Sequence, residues 1–212
     1  SVLSTSIYPD KVNYPMIEED IHNGEPHSTN LGYGFSKRML EVQSRAYRRQ
    51  YGCNFVNIVP NNLFGEYDNF HLVESHVIPS VIRKIYEAKK SEKPSVTLWG
   101  SGNPMREFTY SGDLAKIIVF MMSNYDGAAP INVGNPGEHT IKELAESIKQ
   151  ILGYDGAIIW DTTEPDGQFR KPSSNDKFLE YKWPDTYVDF HEGLKKTCEW
   201  FTKNYPNVRG VN

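Results

Sequence analysis

Apolar residues recur at helical spacing in several stretches of the chain, and short apolar runs separate those stretches. The clearest helical pattern covers residues 30–51, where Asn30 can serve as the N-cap and Gly52 ends the segment. Further helices are predicted over 75–90, 113–122, 140–152 and 189–204, and strands over 55–60, 95–99, 130–134 and 157–160. Strands that alternate with helices indicate an α/β fold with parallel strand pairing.

Composition and charge narrow the class of protein. The 212 residues include 27 acidic and 23 basic side chains, so the net charge is −4, which argues against a nucleic-acid-binding surface. No run of about 18 apolar residues exists that could span a membrane. Cys53 and Cys198 are too few for a disulfide scaffold, predict a reducing cytosol, and are interpreted as core thiols. A solvated basic helix face is predicted from Arg83, Lys84, Lys89, Lys90 and Lys93.

The stretch from Gly134 to Thr140 is the nearest approach to a glycine-rich dinucleotide turn. Such a turn needs backbone N–H donors, but Pro136 removes one and Thr140 stands where a third glycine would be. We therefore predict an ordinary strand-to-helix turn, and expect any phosphate-gripping part of a cofactor site to lie outside this chain. The strand-like opening at Ser1, without an initiator Met, leads us to expect a missing N-terminal portion. No Cys/His cluster has metal-ligand spacing, so no metal site is expected.

Tyr33 and Lys37 are four residues apart at the start of the first predicted helix, so their side chains share one helix face. A nearby ammonium favours the phenolate and makes the phenol a usable proton donor and acceptor. Tyr86 and Lys90 have the same spacing, and we interpret that pair as a core ring beside a solvated charge. The residues alone leave two interpretations of Tyr33 open, a functional phenol and an amphipathic ring at a helix start.

Longer motifs point to a family. Ser4–Pro9, followed by Tyr33 and Lys37, resembles the extended short-chain dehydrogenase/reductases. Other stretches are similar to the GDP-L-fucose synthases within that family, namely 59–65, 67–71, 75–79, 99–108 and 165–168. The resemblance implies the C-terminal part of a Rossmann-like parallel sheet plus a smaller α/β substrate-binding domain. It assigns 1–62 and 112–134 to the NADP-binding domain, and 63–111 and 135–212 mainly to the GDP-sugar domain.

The resemblance also implies an activity. Enzymes of this family epimerise C3 and C5 of GDP-4-keto-6-deoxy-D-mannose and then reduce the C4 ketone with NADPH, which yields GDP-L-fucose. The resemblance further implies a cytoplasmic homodimer, in which the two copies pair through the helix at 30–51. Because the phosphate-gripping turn is absent, we expect the isolated chain to be inactive and the full-length protein to act as a reductase.

Individual roles follow from the resemblance residue by residue. Tyr33 matches the proton donor to the C4 oxygen, Lys37 matches the residue that tunes Tyr33 and holds the nicotinamide ribose, and Ser4 matches the hydroxyl that binds the same oxygen. His76 matches the epimerisation acid, which also contacts the cofactor. The cofactor loop matches Pro60, Asn61, Asn62 and Leu63. The positions that hold the GDP-sugar match Lys84, Trp99, Arg106 and Asp166.

One position departs from the family pattern. The family has a cysteine as the epimerisation base where this chain has Ser6. A thiol ionises with a pKa of about 8.5, whereas a serine hydroxyl ionises far less readily, so Ser6 is expected to be a poor base. Two other interpretations therefore stay open. The chain is another nucleotide-sugar epimerase or dehydratase of the superfamily, or a non-catalytic protein that binds a GDP-sugar or a homologous subunit.

Overall fold

A computed structural model describes residues 1–211. The helices in this part of the chain are α1 (Leu31–Tyr51), α2 (Val77–Lys90), α3 (Ser111–Asn124), α4 (Ile141–Leu152), α5 (Asp176–Leu179) and α6 (Phe190–Asn204). The strands are β1 (Ile58–Pro60), β2 (Asn62–Phe64), β3 (Ser95–Trp99), β4 (Met105–Tyr110), β5 (Ile131–Val133), β6 (Glu138–Thr140) and β7 (Ala157–Asp161). The predicted α/β class with parallel pairing is confirmed, since β1 pairs with β5 and β3 with β7, both in parallel.

The described chain divides into two units. The first unit comprises Ser1–Leu63, Glu107–Gly137 and Lys171–Tyr187, and the second comprises Phe64–Arg106, Glu138–Arg170 and the residues from Val188 onward. The predicted division differs because it places residue 63 and the segments 107–111, 135–137 and 171–187 with the second part. The longest of these is 171–187. This segment joins the first unit because Met16 donates its backbone N–H to Pro172 and its carbonyl accepts from Ser174, both at 2.9 Å.

The first unit is built around the parallel pair β1 and β5. Their register runs from Ile58 opposite Ile131 to Pro60 opposite Val133, and Val2 adds a parallel bridge to Ile58. The strands and helices α3 and α5 enclose a core that contains Ile58, Leu114, Ile117, Met121, Ile131, Val133 and Phe178. A second cluster beneath the N-terminal segment contains Leu3, Ile7, Tyr8, Met16, Ile21 and Val59.

Helix α1 buries a polar face and exposes an apolar one. Gly52 ends it in a left-handed conformation as predicted, while Asn30 occupies the N-cap position without making a side-chain capping bond. The buried face carries Gly34, Arg38, Glu41 and Ser44, and the exposed face carries Phe35, Met39, Val42 and Tyr47. Burial of the polar face is possible because its charges are paired. The Glu41 carboxylate contacts Arg45 at 2.6 Å and His22 at 3.0 Å.

The second unit is built around the parallel pair β3 and β7, which run in register from Ser95 opposite Ala157 to Trp99 opposite Asp161. Helix α4 packs against α2 and α6. Its start follows the predicted cap, because Thr140 accepts from the Glu143 N–H while the Glu143 carboxylate accepts from the Thr140 N–H. The buried helix positions of this unit include Ile78, Ile82, Ile85, Leu144, Ile148, Leu194 and Phe201.

Several sequence expectations need correction. Strand β1 begins at Ile58 rather than at residue 55, and strand β2 was not predicted. Strand β4 was not predicted, because its apolar positions do not alternate. Cys198 is a core thiol, and burial raises its pKa to about 12. Cys53 is only half-buried and precedes β1, so its interpretation as a core thiol was wrong.

Candidate active site

Tyr33 and Lys37 lie on the first turns of α1, as their spacing predicted. The Lys37 ammonium lies 5.8 Å from the centroid of the Tyr33 ring and donates a 2.9 Å hydrogen bond to the carbonyl oxygen of Val2. Half of the Tyr33 side chain is exposed. The arrangement therefore presents a phenol at the surface of the first unit with a fixed positive charge beside it.

Ser4 and Ser6 belong to a short 3-10 turn over Thr5–Ile7 that packs against α1. The Ser4 hydroxyl oxygen caps this turn by accepting from the Ser6 N–H at 3.2 Å. Gly34 permits the contact, because a Cβ at that position would lie 2.7 Å from the carbonyl oxygen of Ser6. Glycine therefore allows the helix to approach the turn, and the structure brings Ser4, Ser6, Tyr33 and Lys37 into one neighbourhood.

Arg38 connects the same helix to the same turn. Its Nε donates to the carbonyl oxygen of Ile7 at 2.7 Å, and its Nη1 donates to the carbonyl oxygen of Gly24 at 2.6 Å. The side chain is buried, so these backbone acceptors replace lost hydration. Sequence analysis missed Arg38. Arg38 follows Gly34 by four residues and therefore lies on the same face of α1, and that spacing was the available signal.

Residues 60–63 run from Pro60, the last residue of β1, into the start of β2. In open α/β sheets, ligands bind beyond the carboxyl ends of the parallel strands, so the position fits a cofactor loop. However, the Asn61 side chain is only 6% exposed; its amide donates to the Asn135 carbonyl at 2.9 Å, and its oxygen accepts from Thr109 at 2.6 Å. The Asn62 amide likewise donates to the Glu107 carbonyl at 2.8 Å. These two side chains therefore hydrogen-bond to the protein itself.

The buried residue Glu107 accepts hydrogen bonds from the side chains of Asn61 and Asn62. Glu107 is 3% exposed, and its Oε2 accepts from the N–H and the hydroxyl of Ser173 at 3.2 and 2.9 Å. The Asn61 amide also points to it, at 3.5 Å. Sequence analysis did not single out Glu107 or Ser173. An acidic residue inside the apolar-rich stretch 105–110 was the only local signal of this network.

His76 lies in the second unit, at the N-cap position of α2, and its ring is exposed. Its backbone carbonyl begins the helix by accepting from the Ser80 N–H at 3.1 Å. Asp68 shares its electrostatic environment. Burial raises the pKa of the Asp68 carboxyl, whereas a hydrogen bond from the Asn69 N–H and the charges of His76 and Arg209 act in the opposite direction.

Lys84 and Trp99 form a cation–aromatic pair in the second unit. The Lys84 ammonium lies 4.9 Å from the centroid of the Trp99 ring, and burial lowers the pKa of Lys84. Trp99 ends β3 and is 54% exposed. An exposed indole face beside a cation can take a planar ring together with an anionic group.

Asp166 and Arg106 organise the loops beyond β3 and β7. The two Asp166 oxygens accept from the N–H and the hydroxyl of Ser101 at 2.6 and 2.7 Å, and these bonds hold the pKa of Asp166 below its usual value. Gly100, at φ 80°, leaves room for that carboxylate, since a Cβ would overlap it. Arg106 donates to the carbonyl oxygens of Met105 and Phe169, at 2.7 and 3.3 Å.

The solvated basic face is confirmed at Lys89, Lys90 and Lys93, which are all exposed. It differs at Arg83 and Lys84, which are only half-exposed. In addition to the Lys84 contact with Trp99, Lys89 donates to the Leu152 carbonyl at 2.6 Å, and Lys90 lies 4.7 Å from the Tyr205 ring centroid. Arg83 donates to two backbone carbonyls. Tyr86, interpreted as a core ring, is half-buried and makes an edge-on contact with the buried Phe201 ring at 5.4 Å.

Comparison with known proteins decides the family. The sequence model of the NAD dependent epimerase/dehydratase family matches residues 1–134. This chain belongs to that family. It is 43% identical to the GDP-L-fucose synthase of Dictyostelium discoideum over 99% of this chain and 66% of the relative. It is 35% identical to the Escherichia coli GDP-L-fucose synthase, over 98% of this chain and 67% of the relative.

Solved structures agree with this assignment. A GDP-L-fucose synthetase from Naegleria fowleri, solved with NADP bound, has a TM-score of 0.94 and 37% identity over 98% of this chain and 67% of that one. A GDP-6-OMe-4-keto-L-xylo-heptose reductase from C. jejuni has a TM-score of 0.88 and 27% identity over 96% of this chain and 69% of that one. The predicted resemblance is therefore confirmed. The chain spans less than two thirds of some relatives, for example 64% of the one from Sinorhizobium fredii.

Residues 1–211 contain no helix that is both long and apolar enough to cross a bilayer. Nor do His, Cys, Asp and Glu side chains in this range gather into a group of three that could hold a metal ion.

Proposed function

We propose that the natural polypeptide carrying this chain converts GDP-4-keto-6-deoxy-D-mannose to GDP-L-fucose, with 3,5-epimerisation followed by NADPH-dependent reduction at C4. The observation that carries the proposal is the grouping of Ser4, Tyr33 and Lys37 on α1 and the turn that packs against it. Similarity to GDP-L-fucose synthases over 99% of the chain supports the choice of substrate.

Reduction requires a proton for the C4 oxygen. In the proposed reaction the Ser4 hydroxyl and the Tyr33 phenol bind the carbonyl oxygen, and Tyr33 transfers its proton as the ketone becomes an alcohol. The Lys37 ammonium, fixed by Val2, favours the phenolate that remains. NADPH, when bound, supplies the hydride to C4.

Epimerisation requires a base and an acid on opposite faces of the sugar. A proton α to the C4 ketone leaves C3 or C5, and His76 returns a proton from the other side. The exposed His76 imidazole suits this task because its ring nitrogens can hold and donate a proton. Ser6 stands at the position proposed for the base, and its hydroxyl is a weak one.

Ser6 therefore favours a second candidate, which is C4 reduction of a GDP-linked 4-keto sugar without epimerisation. The C. jejuni relative named as a reductase of a GDP-linked 4-keto-heptose is consistent with that candidate. Both candidates use Tyr33 and Lys37 in the same way, and they differ only in what happens at C3 and C5.

Ligand-binding roles complete the proposal. The first unit binds NADP(H), with Lys37 and the backbone of Pro60–Leu63 at the carboxyl end of β1, and His76 contacts it as well. The second unit binds the GDP-sugar. The exposed Trp99 face is suited to the guanine ring, and Lys84, Arg106 and Asp166 supply charged groups around it.

The assembly and location are also proposals. Two copies pair through the apolar face of α1, a proposal supported by the exposure of Phe35, Met39, Val42 and Tyr47. A cytoplasmic location is supported by the presence of two unpaired cysteines.

The purified natural polypeptide, incubated with GDP-4-keto-6-deoxy-D-mannose and NADPH in D2O, tests both candidates. We expect GDP-L-fucose with deuterium at C3 and C5, detected by NMR, and no product from Tyr33→Phe. A reduced product with unchanged configuration at C3 and C5 supports the second candidate instead. Failure to oxidise NADPH contradicts both.

A further inference from the structure

Arg83 joins three parts of the second unit. It lies on α2, its Nη1 donates to the carbonyl oxygen of Phe70 at 3.0 Å and to that of Gly210 at 2.7 Å, and its Nε donates to Glu87 at 2.8 Å. The Phe70 carbonyl belongs to the loop that leads to His76, which we call the His76 loop (residues 68–75). The Gly210 carbonyl belongs to the C-terminal segment (residues 205–211).

The C-terminal segment also contacts the His76 loop directly. The Phe70 N–H donates to the Arg209 carbonyl at 2.9 Å. Gly210 has a φ of 86°, and a Cβ there would overlap the Asn69 side chain and the backbone nitrogen of His71. The backbones therefore approach as closely as glycine allows. Phe70 is fully buried, with its ring 4.5 Å from that of Phe201 on α6.

The His76 loop has its own internal hydrogen bonds. The Asn69 oxygen accepts from the His71 N–H at 3.2 Å, and the Asn69 amide donates to the Glu74 carbonyl at 3.3 Å. The His71 ring nitrogen accepts from the Glu74 N–H at 3.0 Å. The loop is thus braced to within two residues of His76. These hydrogen bonds connect the chain beside Phe70 to the residues that lead into α2.

We propose that Arg83 is a positioning residue for His76, because it clamps the His76 loop between α2 and the C-terminal segment. The inference rests on the proposed epimerase function. Proton delivery to carbon depends on placement, and an error of about 1 Å can slow a reaction by about a hundredfold.

The test compares Arg83→Met with Arg83→Lys, which retains a donor for the two carbonyls. Glu87→Gln is the control, because it changes the Arg83 partner on α2 and leaves both backbone acceptors. The first readout is deuterium exchange into GDP-4-keto-6-deoxy-D-mannose without NADPH, analysed for kcat and KM separately. The second is amide hydrogen exchange across residues 69–75, which reports the clamp independently of substrate.

We expect Arg83→Met to lower kcat for exchange about tenfold to a hundredfold with an unchanged KM, and to speed amide exchange in the His76 loop. Arg83→Lys should recover part of both effects, and Gly210→Ala should reproduce them. Exchange at the unmodified rate in Arg83→Met, or an unchanged loop, overturns the positioning role alone. All variants are made in the natural polypeptide that carries this chain, and absence of substrate exchange in its unmodified form overturns the epimerase proposal and this role with it.

Discussion

The Lys37 ammonium donates a 2.9 Å hydrogen bond to the carbonyl oxygen of Val2. Val2 forms a parallel bridge to Ile58 on β1, and Ser4 follows it two residues later. The bond therefore ties the helix that carries Tyr33 to the chain segment that carries Ser4. Lys37 has two tasks as a result, since it places a positive charge near the phenol and sets where the helix lies along the segment.

Loss of this ammonium should abolish most of the reduction. We expect Lys37→Met to lower kcat for NADPH oxidation by about a hundredfold or more, because both the charge and the bond to Val2 disappear. Steady-state NADPH oxidation measures this. Lys90→Met is the matched control, because Lys90 follows Tyr86 at the same spacing and lies outside the proposed site. A loss of the same size in both variants would contradict the assigned role.

Replacement of Ser6 by cysteine should show whether this position can supply the epimerisation base. A thiolate forms far more readily than an alkoxide, so Ser6→Cys is expected to raise C3/C5 deuterium exchange by about tenfold or more. Mass spectrometry of the 4-keto sugar in D2O gives the rate. Ser91→Cys places a thiol on the exposed end of α2 as a control. If the rate does not change in Ser6→Cys, this position does not supply the base.

The Asp166 carboxylate should matter for substrate binding more than for turnover. Asp166→Asn replaces one acceptor oxygen by a donor, so one of the two bonds to Ser101 is lost. We expect KM for the GDP-sugar to rise about tenfold and kcat to change by less than about threefold. Asp161→Asn is the control, since Asp161 accepts from Thr163 in the same loop. Equal changes of KM in both variants would show that substrate binding depends on the negative charge of this region and not on the bonds between Asp166 and Ser101.

The buried Glu107 carboxylate should stabilise the first unit. Glu107→Gln turns an acceptor that faces the Ser173 N–H into a group that can present a donor instead. We expect a loss of about 1–3 kcal/mol in the free energy of unfolding, measured by urea titration. The exposed Glu180→Gln should stay within about 0.5 kcal/mol of the unmodified protein. A Glu107→Gln protein of unchanged stability would show that the network contributes nothing.

His139 should make stability depend on pH. Burial lowers its pKa, with a smaller contribution of the same sign from His191, and its ring stacks on Phe190 at 3.9 Å. The unfolded chain therefore binds a proton more readily than the folded one. The stability contribution is present above the unfolded pKa of about 6.5 and is lost as pH falls through the lowered folded value.

The corresponding measurement is Tm against pH for the unmodified protein and His139→Gln. Other groups titrate in both proteins, so the difference between the two curves isolates His139. We expect the unmodified protein to lose more Tm than the variant between about pH 7 and about pH 5. Parallel curves would mean that the imidazole is equally protonated in the folded and unfolded states.

Much of the fold could be predicted because its signals are local. The bounds of β3 match the prediction, and α4 follows a capping box whose two partners are three residues apart. The ends of α1 were predicted within one residue, since Gly52 closes it. Strands β2 and β4 were missed because short strands without alternating apolar positions carry no periodic signal.

The candidate site likewise has features that the sequence predicted and features that only the structure revealed. Sequence by itself determined the fold class, the family, the pairing of Tyr33 with Lys37 on one helix face, and the unusual Ser6. Only the tertiary structure decided that Asn61 and Glu107 are buried in a shared network, and that Arg83 holds Phe70 and Gly210. The physical reason is that the hydrogen-bond partners of these residues are backbone carbonyls and side chains far away along the chain, in one case 127 residues away. A polar residue becomes structural only when folding brings such a partner within hydrogen-bond distance.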